Sequence, residues 1–119
     1  MSNVSNFETN PPPIPNSSES LHDEMAQLSM VRMNPQILRL VFERKDFGLK
    51  KYGTVLQAFN GRDAETDLVE EIIDAMVYAY QAVVESSSSI PNLNIRRGTR
   101  KYEKLLWRLC EALDEFYEE

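Results

Sequence analysis

The sequence has one cysteine, one histidine and four glycines in 119 residues. A single cysteine cannot close an intramolecular disulfide, and no Cys/His set exists for a structural zinc site. A small secreted disulfide scaffold is therefore excluded, and a reducing cytoplasm fits. No apolar run approaches the roughly 18 residues that a membrane span requires. The opening MSNVSNFETN is polar and lacks the apolar core of an export signal, so none is expected. Basic residues are the minority, 13 Lys+Arg against 19 Asp+Glu, for a net charge of −6. A binder of nucleic-acid polymers draws its affinity from phosphate neutralisation, so that class is disfavoured. An enzyme that supplies metal-binding carboxylates to a nucleotide is not.

The chain is 42% hydrophobic and 27% charged, a composition that suits one globular domain. Residues 1–20, MSNVSNFETNPPPIPNSSES, are expected to be a disordered tail. They hold too little apolar surface to offset ordering entropy, and consecutive prolines favour extended polyproline II. Residues 21–119 are read as a single all-α domain. Leu21 to Met33 is a candidate short helix. Asn34–Pro35 is a helix start, with Asn as N-cap and Pro in the first turn. A helix is predicted from there to about Lys51, with Ile37, Leu38, Val41 and Phe42 on its apolar side. Gly53 suits its left-handed C-cap.

Thr54 to Arg62 is read as a loop, with a turn at Asn60–Gly61. The next helix should run from Asp63 or Ala64 to about Glu85. It is apolar over most of its circumference, so burial on more than one side is expected. Asp67, Glu71, Asp74, Tyr78, Gln81 and Glu85 fall on one narrow polar stripe of it. Ser86 to Ser89, with Pro91, makes a break. A C-terminal helix is predicted over residues 99–117, with Leu105, Leu106, Leu109, Ala112, Leu113 and Phe116 on its apolar face. Its basic start and acidic end oppose the helix dipole. An antiparallel copy of the same helix would match the two signs.

Two acidic helical faces separated by one loop are the chemically informative feature. The first holds Glu43 and Asp46; the second holds Asp67, Glu71 and Asp74. Facing carboxylates repel, and a divalent cation relieves that repulsion. Magnesium takes hard oxygen ligands, keeps waters and accepts phosphate oxygens. Lys45, Lys50, Lys51 and Arg62 flank these faces and suit phosphate charge. Acidic helical stripes are also common as plain solvated faces. His22 is expected at the surface, and Cys110 as an inert thiol.

These residues carry a family resemblance. Lys51-Tyr52-Gly53-Thr54, Leu56-Gln57, Asn60-Gly61-Arg62-Asp63, then Asp67 and Glu70-Glu71-Ile72-Ile73-Asp74-Ala75-Met76-Val77-Tyr78 resemble MazG-like nucleotide pyrophosphohydrolases, especially the short phage versions. The likeness spans about Leu38 to Val84, roughly 40% of the chain. It implies an all-α fold whose antiparallel helical hairpin or bundle is completed by oligomerisation into a homodimer or homotetramer. It implies hydrolysis of a (deoxy)nucleoside triphosphate to the monophosphate and pyrophosphate, in the host cytoplasm if phage-encoded.

The resemblance matches Glu71 and Asp74 to the family's ExxD metal pair. Glu43 and Asp46 fall at its ExxE pair, with Asp46 in place of the second glutamate. Together the four would hold Mg2+, with Mn2+ as the alternative ion. Asp67 would be a further ligand or would position the attacking water. Lys50, Lys51 and Arg62 would neutralise phosphate, and Asn60 would contact sugar or base unless it serves only the turn. A non-catalytic nucleotide-binding or sequestering protein of the same fold is the second reading. A helical interaction module is the third.

Overall fold

In the computed structural model, residues 10–29, 32–86 and 101–118 are described. They form four helices and no strand, so the fold is all-α among the described residues: α1 Leu21–Ser29, α2 Pro35–Tyr52, α3 Ala64–Ser86 and α4 Lys101–Glu118. The chain divides into two compact units. One is Pro11–Arg62; the other joins Met1–Asn10 to Asp63–Glu119. The expected break after Ser86 and the first residues of the C-terminal helix lie outside the described residues, as do residues 1–9.

Local signals set the ends of α2. Asn34 accepts a hydrogen bond at 2.7 Å from the backbone N–H of Gln36, Pro35 opens the first turn, and the Leu38 N–H reaches the Asn34 carbonyl at 3.0 Å. At the other end Gly53 adopts φ 75° and returns its N–H to the Leu49 carbonyl at 2.9 Å. A side chain at that φ would be strained, which is why glycine closes the helix. Lys50 and Lys51 occupy the last turn, where their charge complements the dipole.

In the first unit α1 packs on α2. Ala26 is buried, and Lys45 of α2 clamps both carboxylate oxygens of Asp23 on α1, at 2.8 and 3.0 Å. Beside this pair lies an open depression of about 290 Å³ lined by Glu19, Asp23, Ala26, Gln27, Leu38 and Phe42. No residue of α2 is fully buried; Ile37, Leu40, Phe42, Phe47 and Leu49 all remain exposed. His22, expected at the surface, is half-buried, and its Nδ1 has no partner among the described residues.

The expectation that residues 1–20 form a disordered tail fails from residue 11 onward. Those residues run extended and antiparallel to the loop after α2. Ile14 N–H donates to the Asn60 carbonyl at 2.8 Å, and Leu21 N–H to the Leu56 carbonyl at 2.8 Å. Asn16 Nδ2 reaches the carbonyls of Ala58 and Phe59 at 2.9 and 3.0 Å. Gln57 is buried and binds in both senses: its Oε1 accepts from Asn16 N–H at 3.0 Å, and its Nε2 donates to the carbonyls of Asn16 and Ser18 at 2.7 and 2.6 Å. Ser20 and Gln57 form an isolated antiparallel bridge. This strap is held by amide hydrogen bonds, not by apolar burial, so its low apolar content was the wrong measure. Its prolines have no N–H to satisfy, which suits them to an extended run.

In the second unit α3 packs on α4. Thr66, Val69, Ala79 and Val83 form the buried side of α3, with Val69 and Val83 almost completely enclosed. On α4, Tyr102, Leu106, Leu109, Cys110 and Leu113 are half-buried and Glu103 is buried. Leu68, Ile73, Val77 and Tyr80 of α3 are exposed, and Ile72, Ala75, Met76, Ala82 and Val84 are half-buried.

The strap generates a stability test. Gln57→Ala leaves one N–H and two carbonyls without their partner, which should cost about 1–3 kcal/mol. Chemical denaturation measures the loss, and amide exchange should quicken at Asn16 and Ser18. Unchanged stability and protection would show that Gln57 does not hold the strap.

Candidate functional site

The candidate site is built from helix faces and one capped turn. Asp63 precedes α3. Its Oδ1 accepts from the Glu65 N–H at 3.2 Å, its Oδ2 from the Thr66 hydroxyl at 2.6 Å, and its carbonyl from the Asp67 N–H at 3.2 Å. Asp63 thus serves as N-cap, with Glu65 and Asp67 adding negative charge at the positive end of the helix. The Thr66 hydroxyl, joined by the N–H groups of Glu65 and Thr66, holds the Asp63 carboxyl below its ordinary value of 3.8. Asn10 doubles the cap. It accepts from the Asp63 N–H at 2.9 Å and donates to the Asp63 carbonyl at 3.2 Å and Asp67 Oδ1 at 2.9 Å.

Glu71 and Asp74 follow Asp67 on α3, one turn apart, and both are exposed. Among the described residues neither takes a hydrogen bond or an ion pair. Tyr78, Gln81 and Glu85 extend the same exposed stripe, and Gln81 Nε2 meets Glu85 at 3.0 Å. These residues form a solvent-facing row, not the lining of an interior groove that the apolar surroundings of the stripe suggest. On α2, Glu43 and Asp46 are also exposed; Glu43 lies 4.0 Å from Arg39.

No family model, curated protein or solved structure matches the chain. Residue chemistry alone therefore decides what the site can do. Among the described residues no three His, Cys, Asp or Glu side chains are gathered at metal-binding separation. Glu71 and Asp74 are both exposed, whereas Asp67 is half-buried and accepts from Asn10.

The cations expected to meet phosphate are differently placed. Lys50 is exposed in the last turn of α2. Lys51 is exposed, with its ammonium 5.3 Å from the Tyr52 ring and 5.8 Å from the Phe47 ring. Lys45 is committed to Asp23. Arg62 is half-buried and donates from Nη1 to the Pro11 carbonyl at 2.7 Å, so it secures the strap. Asn60 is buried: its Oδ1 accepts from the Arg62 N–H at 3.1 Å, the turn role. Phe59, which the sequence reading passed over, has φ 57° and is 93% exposed. Asn10 and Gln57 were likewise missed as structural anchors. Their partners are 39 to 57 residues away, beyond the reach of any local signal.

The cap yields a pH prediction. Asp63→Ala should lower the melting temperature at neutral pH. A carboxyl whose folded pKa is depressed stabilises the fold above its unfolded value and loses that contribution as pH falls through the folded value. The gap between wild type and variant should therefore be full well above pH 3.8 and shrink below it, as read by thermal melts across pH. A gap that widens in acid would refute the assignment of the charged cap.

Proposed function

We propose that the chain is a magnesium-dependent nucleoside triphosphate pyrophosphohydrolase, converting (d)NTP to (d)NMP and pyrophosphate. The observation that carries this reading is the Glu71–Asp74 pair: exposed, one turn apart, and without partners among the described residues. Of the neighbouring acids, Asp63 is engaged by Thr66 and Asp67 by Asn10. The resemblance of Lys51–Thr54, Asn60–Asp63 and Glu71–Asp74 to MazG-like sequences adds the substrate class.

Hard carboxylate oxygens suit magnesium, which is commonly held by one or two carboxylates plus waters and phosphate oxygens. A pair of side chains is therefore a sufficient protein share. Glu71 and Asp74 would hold the ion. Magnesium, when bound, neutralises phosphate charge and makes water more acidic. Asp67, anchored by Asn10, orients the incoming water by accepting its hydrogen bond. Water adds its oxygen to the α-phosphorus and gives up its proton to solvent, the α–β bridging P–O bond breaks, and pyrophosphate leaves with the electron pair. Lys50 and Lys51 offset the charge that grows on the leaving group. The exposed apolar side chains of α2 and α3 support a homodimer or homotetramer as the working form. Among the described residues no helix is long and apolar enough to cross a membrane.

A second reading, a non-catalytic nucleotide-binding or sequestering protein, is favoured by one feature. Arg62 is turned to the Pro11 carbonyl, which leaves the lysines as the freer phosphate cations. A panel of (d)NTPs with magnesium separates the two. Pyrophosphate release should occur and should stop on chelation. Glu71→Gln and Asp74→Asn should each lower it by at least about a hundredfold without changing the mass of the assembly. Normal turnover in either variant would remove the site assignment. Nucleotide binding with no release from any triphosphate would establish the second reading instead.

A further inference from the structure

The charges of α4 are arranged against their own helix. Lys101, Lys104 and Arg108 follow one another at three- and four-residue spacing, and Glu115 and Glu118 continue the same row. Like charges at that spacing repel, and a basic start with an acidic end opposes the macrodipole. The neighbouring helix offers no cation to Glu115 or Glu118: α3, packed on α4, contains no Lys, Arg or His. Among the described residues of that unit the cations are Lys101, Lys104 and Arg108 themselves.

An apolar stripe runs beside this row. Leu105, Leu109, Ala112 and Phe116 recur at spacings of four, three and four, the pattern of a helix–helix seam. Leu105 is 53% exposed and Phe116 41% exposed, on the flank of α4 that α3 leaves open. Arg108 and Glu115 border that flank at about 60–100° of helical rotation from the stripe.

We propose that this stripe is the contact between two copies of the chain, laid antiparallel about a twofold axis. In that register Leu109 of one copy meets Ala112 of the other, and Leu105 meets Phe116. Arg108 of each copy borders Glu115 of the other, and Lys104 comes level with Glu118. A parallel pair would set base beside base and acid beside acid. The twofold makes each charge pair occur twice, so one substitution is felt at two places. The proposal names a surface for the association suggested above and needs no assumption about catalysis, because it is read from mass and not from turnover.

Sedimentation equilibrium of the full chain tests it. The wild type should self-associate. Arg108→Glu alone and Glu115→Arg alone should each weaken association at least about tenfold, because like charges then face each other twice. Mixing the two single variants should restore association, and so should combining both changes in one chain. Residues 108 and 115 lie about two turns apart, so recovery on mixing cannot arise within one helix. Far-UV circular dichroism checks that each variant is folded; if either is not, Arg108→Gln and Glu115→Gln, which remove the charge without reversing it, should each weaken association to a smaller extent. A wild type that remains monomeric at about 100 μM overturns the proposal. So does association indifferent to charge reversal, or single variants that do not recover when mixed.

Discussion

One amide side chain, Gln57, both accepts from and donates to the extended segment before α1. Its Oε1 takes the Asn16 N–H while its Nε2 serves the Asn16 and Ser18 carbonyls. A carboxamide carries a donor and an acceptor in one planar group. The loop that separates α2 from α3 buries little of its apolar content, since Leu56 and Phe59 are exposed. Its geometry, including the left-handed Phe59 and Gly61, is held by those bonds and by the Asn16, Ile14 and Arg62 contacts beside them. The order of the loop therefore rests on polar contacts from a segment that composition alone would have dismissed.

A second constraint is the shortage of enclosed apolar surface. The fully buried apolar residues among those described are Ala26 in one unit and Val69, Ala79 and Val83 in the other. Small chains must gain stability from something besides a single core. Here part of it comes from caps: Asn34 and Gly53 on α2, Ser20 before α1, Asp63 with Asn10 on α3. The exposed leucines and aromatics on α2, α3 and α4 are what a further copy of the chain would cover, and this links the subunit's energetics to the proposed assembly.

The helices could be read from the sequence because their determinants are local. Asn34, Pro35 and Gly53 act within a turn of themselves, and the polar stripe of α3 follows from a period of 3.6 residues. The strap could not be read that way, since each of its bonds joins residues far apart in sequence and uses no apolar pattern. The same limit separates the site residues. Glu71 and Asp74 share one exposed face of α3, because helical spacing alone sets which residues share a face. Lys45 and Arg62 do not remain free for phosphate, because Asp23 and Pro11 claim them from 22 and 51 residues away. Asn60 keeps the turn role that its dipeptide with Gly61 favours.

The strap also has a consequence for how the chain comes into being. Synthesis proceeds from the N-terminus, so residues 11–20 are polymerised before Gln57, Asn60 and Arg62 exist. Through that interval they have none of those partners, and closing a loop of about forty residues costs entropy that only the finished turn offsets. The strap is thus among the first segments made and among the last to be fastened. In the folded protein the same economy runs in reverse: with little apolar area at stake, its release is a low-energy local opening, and the turn between α2 and α3 loosens with it.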